Sequence, residues 1–150
     1  MRGYKPVVML GAGARGADME RIFSWGFPVL TSWQAKDMLD NSHPLYFGSP
    51  GIYGQRCANK VLHEADFILA LGNRLSIWEV GYESIRIDHG LVMVDLDDAE
   101  IDKFPYAVGR RLDARTYPGI WKDRPRMDSA WLSMCENWRA LWPLHQPESG

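Results

Sequence analysis

The feature that most constrains this chain is a short apolar run that leads directly into a cluster of glycines. In the segment PVVMLGAGARG, the apolar residues Val7–Leu10 are followed by Gly11, Gly13 and Gly16. An apolar run bounded by glycines is typical of a strand buried on both faces. The glycines allow a tight turn and a close backbone approach, and we predict a helix over residues 17–25 after them. Because a helix N-terminus favours a phosphate, the segment predicts a strand, glycine loop and helix suited to a nucleotide phosphate.

The glycines match the pattern G-x-G-x-x-G, which is a weak signal by itself. A dinucleotide-binding domain that transfers hydride also places an Asp or Glu about 20 residues later to hold a ribose. Residues 28–33, Pro-Val-Leu-Thr-Ser-Trp, contain no acid. The sequence therefore disfavours ordinary NAD binding. The loop taken alone is equally compatible with a tight turn that binds nothing.

Bulk composition excludes several classes of function. The chain has 150 residues, enough for one domain with a core, and its net charge of −2 indicates neither a nucleic-acid nor a membrane surface. No apolar run is long enough to span a bilayer. Cys57 and Cys135 have no metal-ligand spacing, and neither do the four histidines. We expect a cytoplasmic protein without disulfides, with no nucleic acid, membrane or bound metal as a partner of this chain.

Further apolar runs alternate with helical patterns along the chain. Strands are predicted over 28–31, 66–71, 91–96 and 107–112, and helices over 35–39, 54–65 and after Asp128 or Ser129. The last helix carries an apolar stripe of Trp131, Met134, Cys135, Trp138, Leu141 and Trp142. We expect Trp131, Trp138 or both to pack on the sheet, and Trp142 to be partly exposed. The alternation predicts an α/β fold of three layers, α/β/α, with a parallel sheet of about six strands.

Ligands of such sheets bind at the carboxyl ends of the strands. The predicted strand ends carry the segments Gly11–Gly16, Thr31–Trp33, Gly72–Arg74 and Asp95–Asp97. Their convergence on one crevice is a stronger signal than any single segment. Two alternatives stay open here: Arg74 binds a ligand or pairs with a surface carboxylate, and Asp95 and Asp97 contact a ribose or cap a helix.

Sequence blocks in this order resemble the central domain of thiamine-diphosphate enzymes of the acetolactate synthase family. The blocks are KPVVMLGAGARG, FPVLTSWQAKDML with HPLYFGSPGIYGQRCAN, EADFILALGNR and VDLDDAEIDK, and Arg111–Ala114 falls where the family has a GDA-like segment. The resemblance covers nearly the whole chain. It implies a Rossmann-like, DHS-like NAD/FAD-binding fold, with the central domain over residues 1–142 and the start of a linker over residues 143–150.

The resemblance implies a three-domain parent enzyme that acts on 2-keto acids as a carboligase or decarboxylase, in the transferase or lyase class. Its thiamine diphosphate would lie between the first domain, which supplies a glutamate, and the third, whose GDG…N motif holds Mg²⁺. No GDG motif occurs in this sequence. We therefore expect a structural domain that is not catalytic alone, with the flanking thiamine-binding domains as partners in a homodimer or homotetramer. The alternative is a free-standing nucleotide-binding or sensing module of the same fold.

The resemblance also implies residues for FAD, which has a structural role in acetolactate synthases, or for the ADP held by some relatives. The matching positions are Gly11, Ala12, Gly13, Thr31, Ser32, Trp33, Pro50, Gly51, Ile52, Tyr53, Gly72, Asn73, Arg74, Asp95, Leu96, Glu100 and Asp113. The Arg74 guanidinium suits a phosphate, and Asp95 or Glu100 suits ribose hydroxyls. The sequence departs from the family at Leu75–Trp78, where an Asp-Asp-Arg run is common, and at Tyr53, where a histidine is common. We expect Gly13→Val to abolish nucleotide binding while leaving the fold largely intact.

Overall fold

Five parallel strands form the sheet in a computed structural model, which describes residues 3–50, 55–72, 90–95, 108–111, 113–119, 121 and 124–144. The strands are β1 (Pro6–Leu10), β2 (Val29–Thr31), β3 (Phe67–Leu71), β4 (Gly90–Asp95) and β5 (Val108–Arg111). This confirms the parallel α/β fold. The described residues contain five strands rather than about six, since Tyr46 joins Val29 only through an isolated bridge beyond β2.

The apolar run before the glycines lies near the middle of the sheet. The strand order is β2-β1-β3-β4-β5, and all five residues of β1 are buried between its neighbours. The chain moves from β1 to β2 on one side and then returns past β1 to β3. Because parallel crossovers are right-handed, this reversal places the two connecting segments on opposite faces. The reversal between β1 and β3 is the position where a ligand crevice is expected.

Three α-helices accompany the sheet: α1 (Met19–Ser24), α2 (Arg56–Glu64) and α3 (Trp131–Leu141). Short 3-10 helices cover Ala12–Ala14, Trp33–Met38 and Tyr117–Gly119. The segment predicted as a short helix over 35–39 is thus 3-10 in geometry. Within the described part of the chain, no helix has the length and apolar character needed to cross a membrane.

The first helix is shorter than predicted, and the reason is a cap. The Asp18 carboxylate accepts a hydrogen bond from the Arg21 backbone N–H at 3.2 Å, so α1 begins at Met19 rather than at residue 17. Gly26 follows the helix with a φ of 73° and ends it. The glycine loop therefore leads into the 3-10 turn at Ala12–Ala14 and not directly into α1.

The last helix packs across α2, whereas the sequence predicted that Trp131, Trp138 or both pack on the sheet. Trp131 is fully buried and donates its indole N–H to the Pro6 carbonyl at 2.7 Å, which attaches α3 to the start of β1. Cys135 is buried as well, and Trp138 is half-buried with its ring 5.8 Å from that of Trp131. Trp142 is partly exposed as expected, and Leu141 is 69% exposed. The carboxylate of Asp128 accepts from the Ala130 N–H just before the helix begins.

An aromatic cluster closes the amino ends of the strands. We define this cluster as Tyr4, Trp25, Phe27, Phe67 and Trp121, and Trp121 is its centre. The Trp121 ring lies 4.8 Å from Trp25, 6.3 Å from Phe27 and 6.1 Å from Phe67, measured between ring centroids. Aromatic pairs at such distances add to the stabilisation that comes from burial. Trp121 thereby anchors the segment after β5 beneath the sheet.

Candidate functional site

Backbone hydrogen bonds assemble the predicted strand ends at one edge of the sheet. Ser32 N–H donates to the Leu10 carbonyl at 2.9 Å, and Gly11 N–H donates to the Leu71 carbonyl at 3.0 Å. Gly72 N–H continues this series by donating to the Val94 carbonyl at 2.9 Å. The segments that follow β1, β2 and β3 are therefore neighbours, as the sequence predicted for a crevice at the carboxyl ends.

Two glycines face each other where the strand order reverses, between the ends of β1 and β3. A Cβ on Gly13 would lie 2.9 Å from the Gly72 Cα, and a Cβ on Gly72 would lie 2.5 Å from the Gly13 carbonyl carbon. Gly72 also has a φ of 59°, which disfavours any other residue. The Gly13 N–H donates to the Gly72 carbonyl at 3.2 Å. The sequence indicated that Gly13 makes room for a ligand; the structure shows that it also makes room for Gly72.

The predicted helix N-terminus is not open toward the glycine loop. The Asp18 carboxylate accepts from one N–H in the first turn of α1, that of Arg21, and this helix has only six residues. A phosphate at the glycine loop would therefore meet the loop backbone rather than the dipole of α1. Ala12 and Gly13 are exposed there, so that backbone is accessible.

A buried set of hydroxyl groups supports the end of β2. Thr31 Oγ1 shares hydrogen bonds with Tyr46 Oη at 2.8 Å and with Ser49 Oγ at 2.9 Å, and all three side chains are fully buried. Because the Thr31 hydroxyl is engaged inside the protein, its role in the structure is to join β2 to the following connection. Sequence reasoning placed Thr31 among the ligand contacts and missed Tyr46 and Ser49.

The neighbouring Ser32 differs from Thr31 in one respect. Ser32 is 3% exposed, and its Oγ has no hydrogen-bond partner among the described residues. A buried hydroxyl without a partner costs about 1–3 kcal/mol and is uncommon in folded proteins. Ser32 follows β2 directly and is bonded through its N–H to the end of β1. This hydroxyl is the described polar group best placed to meet a ligand.

Two arginines near the glycine loop are each held by a carboxylate. Arg15 binds Asp37 through two hydrogen bonds of 2.6 and 3.0 Å. Arg115 binds the Asp113 carboxylate through Nη2 at 2.6 Å and through Nε, and its Cδ lies 3.4 Å from the position of a Cβ on Gly16. Hydrogen bonds from the Arg115 side chain and backbone lower the pKa of Asp113 to about 2. The Asp113 carboxylate is therefore charged at neutral pH. Its partner Arg115 places it near the glycine loop.

A sequence model described as the central domain of thiamine pyrophosphate enzymes matches residues 2–117, which contain the whole sheet. The chain belongs to this family. An acetolactate synthase large subunit from Corynebacterium glutamicum is 33% identical over 105 residues, covering 66% of this chain and 17% of that protein. A pyruvate oxidase from Lactiplantibacillus plantarum is 28% identical over 102 residues, with the same two coverages. An acetolactate synthase large subunit from Cyanidium caldarium is 27% identical over 163 residues, covering 98% of this chain and 28% of that protein.

The chain thus spans less than a third of the length of each of these relatives. The matched region ends at residue 117, before α3 begins at Trp131. The helix that packs across α2 therefore lies outside the part of the chain that defines this central domain family.

The structure brings together part of the predicted nucleotide site of this central domain. Gly11, Ala12, Gly13, Ser32 and Gly72 lie at the carboxyl edge. Thr31 supports that edge, Asp113 lies near the glycine loop, and Pro50 is buried at the end of the connection after β2. Trp33 begins the 3-10 helix that follows β2, and Asp95 is the last residue of β4. The remaining predicted positions lie outside the described residues: Gly51, Ile52, Tyr53, Asn73, Arg74, Leu96 and Glu100.

The two cysteines are not suited to nucleophilic catalysis, and the described residues contain no cluster suited to a metal ion. Burial raises the pKa of Cys57 to about 12 and raises that of Cys135 as well, so both thiols are protonated at neutral pH. Across the described segments, no group of His, Cys, Asp and Glu side chains is arranged to hold a metal ion. The arrangement at the carboxyl edge is suited to binding a polar ligand against backbone and hydroxyl groups.

Proposed function

We propose that this chain is the central domain of a thiamine-diphosphate-dependent enzyme that acts on 2-keto acids. We further propose that its carboxyl edge binds FAD or ADP, two ligands that share an adenosine diphosphate. The family membership and the similarity to acetolactate synthases and a pyruvate oxidase support the parent enzyme. The observation that carries the ligand is the buried Ser32 hydroxyl, which has no partner within the described residues.

The residues at the carboxyl edge fit such a nucleotide. Ser32 offers a hydroxyl that can donate to or accept from a ribose or phosphate oxygen. Ala12 and Gly13 present exposed backbone with little side chain, which permits the close approach that a diphosphate requires. Bound at this edge, the nucleotide would fill the crevice and stabilise the domain, because a ligand that binds only the folded state stabilises it.

Catalysis in this proposal belongs to the flanking domains. Thiamine diphosphate and Mg²⁺ would be held by an N-terminal and a C-terminal domain, and the cofactor would supply the carbanion chemistry on the 2-keto acid. The central domain, over residues 1–142, would connect these domains, with a linker beginning over residues 143–150. The assembled enzyme would be a homodimer or a homotetramer, in the cytoplasm.

The ligand is tested by titrating the 150-residue chain with FAD and with ADP by calorimetry. We expect both to bind and to compete with each other, since they share the adenosine diphosphate. Ser32→Ala should weaken both affinities, while Ser133→Ala, which removes an exposed hydroxyl from α3, should leave them unchanged. If the folded chain binds neither nucleotide, the proposed ligand is wrong.

The assignment of catalysis to the flanking domains is tested by a separate experiment. With thiamine diphosphate, Mg²⁺ and pyruvate added, the 150-residue chain should release no carbon dioxide above the rate without protein. Robust turnover by this chain would contradict the assignment of catalysis to other domains. A parent reading frame that encodes the glutamate domain before this segment and a GDG…N motif after it would support the assignment.

A further inference from the structure

We propose that α3 and the residues that follow it are a positioning device for the candidate site. In this proposal Arg139 and Gln55 are positioning residues for residues 43–50, which we name the β2 connection. The effect on a ligand rests on the proposed nucleotide site, whereas the positioning of the β2 connection does not depend on it. Both residues lie outside the set that the sequence predicted, and Arg139 lies outside the matched family region.

Arg139 attaches α3 to the first half of the β2 connection. Its Nη1 lies 2.8 Å from the Pro44 carbonyl oxygen, 3.1 Å from that of Tyr46 and 3.3 Å from that of His43. The guanidinium carbon also lies 4.4 Å from the centroid of the Phe47 ring. Hydrogen bonds from a charged donor are stronger than those from a neutral one, so one side chain holds three carbonyl groups within residues 43–46.

Gln55 attaches the second half of the β2 connection to the chain after α3. Its Oε1 accepts from the Ser49 N–H at 3.0 Å, and its Nε2 donates to the Leu144 carbonyl at 3.0 Å. Gly48 has a φ of 102°, and the position of a Cβ there is occupied by the Gln55 amide and by the Leu144 side chain. The turn at Gly48 therefore has the shape that lets Gln55 reach both segments.

The position of the β2 connection in turn determines the position of the carboxyl edge. Its backbone pairs with the outer side of β2, since Val29 N–H donates to the Leu45 carbonyl at 2.8 Å and Thr31 N–H donates to the Gly48 carbonyl at 3.0 Å. Its Tyr46 and Ser49 hydroxyls hold the Thr31 hydroxyl. A shift of the connection would therefore move Thr31, and with it the adjacent Ser32.

Hydrogen exchange tests the positioning directly, without a ligand. In the 150-residue chain, we expect Arg139→Ala and Gln55→Ala to reduce protection of the Val29 and Thr31 amides by about tenfold or more, the change expected when a hydrogen bond to a buried backbone group is lost. The Gly72 amide, which bonds to Val94 on the far side of the sheet, should keep its protection. Unchanged protection at Val29 and Thr31 in both variants would overturn the proposal.

The matched control for these exchange measurements is Lys60→Ala. Lys60 lies 5.5 Å from the Trp138 ring centroid and pairs with Glu64 at 3.1 Å, so it joins α2 to α3 without contacting the β2 connection. This variant should leave the Val29 and Thr31 amides protected. If Lys60→Ala exposes them as much as Arg139→Ala does, general loosening of α3 is the cause, and the specific role of Arg139 is wrong.

Nucleotide affinity separates positioning from stability. Arg139→Ala should weaken ADP binding by about tenfold at a temperature where the variant is fully folded. Cys135→Ala, which removes a buried thiol from α3, should lower the melting temperature and leave ADP affinity unchanged. Unaltered ADP affinity in folded Arg139→Ala would overturn the link to the site. If the wild-type chain binds no ADP, the proposed function fails, and the exchange experiment decides the positioning role alone.

Discussion

The two ends of the sheet are built from different chemistry. The aromatic cluster closes the amino ends, where Trp121 contacts three other rings of the cluster and is 8% exposed. The carboxyl ends carry glycines in backbone contact, a buried hydroxyl without a partner in the described residues, and charge pairs at the surface. Burial of aromatic rings therefore stabilises the amino end. The carboxyl end retains a buried hydroxyl without a hydrogen-bond partner among the described residues, which does not contribute to stability.

The comparison distinguishes the end that stabilises the domain from the end where we propose that a nucleotide binds. Burial of one large apolar side chain contributes about 1.5–3 kcal/mol, and the aromatic cluster holds several such side chains. An unpartnered buried hydroxyl costs about 1–3 kcal/mol, which is the same order with the opposite sign. The amino end can thus offset an unfavourable group at the carboxyl end, and local departures from good packing are expected where a protein binds its ligand.

The largest effect should come from the centre of the aromatic cluster. Trp121→Ala removes the ring that Trp25, Phe27 and Phe67 contact, and we expect a loss of about 3–5 kcal/mol in the free energy of unfolding. Urea denaturation measures this loss. Because Trp121 is distant from the carboxyl ends, ADP affinity measured on folded protein should not change. A variant that stays as stable as wild type, or that loses affinity while folded, would break the separation between the two ends.

The next largest effect should come from Gly13, which contacts Gly72. The sequence predicted that Gly13→Val leaves the fold largely intact, and the structure revises this prediction. Gly13→Val places a Cβ against the Gly72 backbone, and such overpacking costs about 1–3 kcal/mol. We therefore expect lower stability in urea as well as weaker nucleotide binding, rather than a fold left largely intact. Gly119→Ala is the control, since a Cβ there meets no atom within 4 Å. Equal stability of Gly13→Val and wild type would show that the loop relaxes.

Much of the fold follows from the sequence because apolar periodicity decides it. The run Val7–Leu10 was correctly predicted as a strand buried on both faces, and the stripe on the last helix correctly placed Trp131 in the core. The start of α1 was predicted two residues early because Asp18, a good cap, competes with helix propagation from Ala17. Local chemistry of this kind moves element ends without changing which elements form.

The candidate site was less predictable, since its support comes from residues distant in sequence. The glycine loop and Ser32 could be found because they follow apolar runs directly. Arg139 could not, as its contact with the His43 carbonyl joins residues 96 positions apart. Gln55 bonds to Ser49 only six positions away, but its second contact, with Leu144, joins residues 89 positions apart. The available signal was the Gly- and Pro-rich loop after β2, whose irregular backbone needs polar partners from elsewhere.

A smaller effect distinguishes the two serines at the carboxyl edge. Ser49→Ala removes a hydroxyl bonded to Thr31 and should lower the free energy of unfolding by about 1 kcal/mol. Ser32→Ala removes a hydroxyl without a partner in the described residues, so stability without ligand should stay the same or rise by up to about 1 kcal/mol. Thermal unfolding measures both. If Ser32→Ala destabilises the free protein as much as Ser49→Ala does, its hydroxyl has a structural role, and the assignment to the ligand is wrong.

The smallest effect concerns the exposed charge pairs, which mark the carboxyl end without stabilising it strongly. Hydrogen bonds from Arg115 lower the pKa of Asp113 from 3.8 to about 2 in the folded protein. The pair therefore stabilises the fold fully above pH ~4, and this contribution is lost as the pH falls toward ~2, where the folded carboxylate takes up its proton. A carbon-13 titration of the Asp113 carboxyl should give a midpoint near 2, and Arg115→Gln should return it toward the ordinary value. Because the pair is exposed, added salt should raise the midpoint as well; a midpoint that ignores both Arg115→Gln and salt would mean that another group holds Asp113.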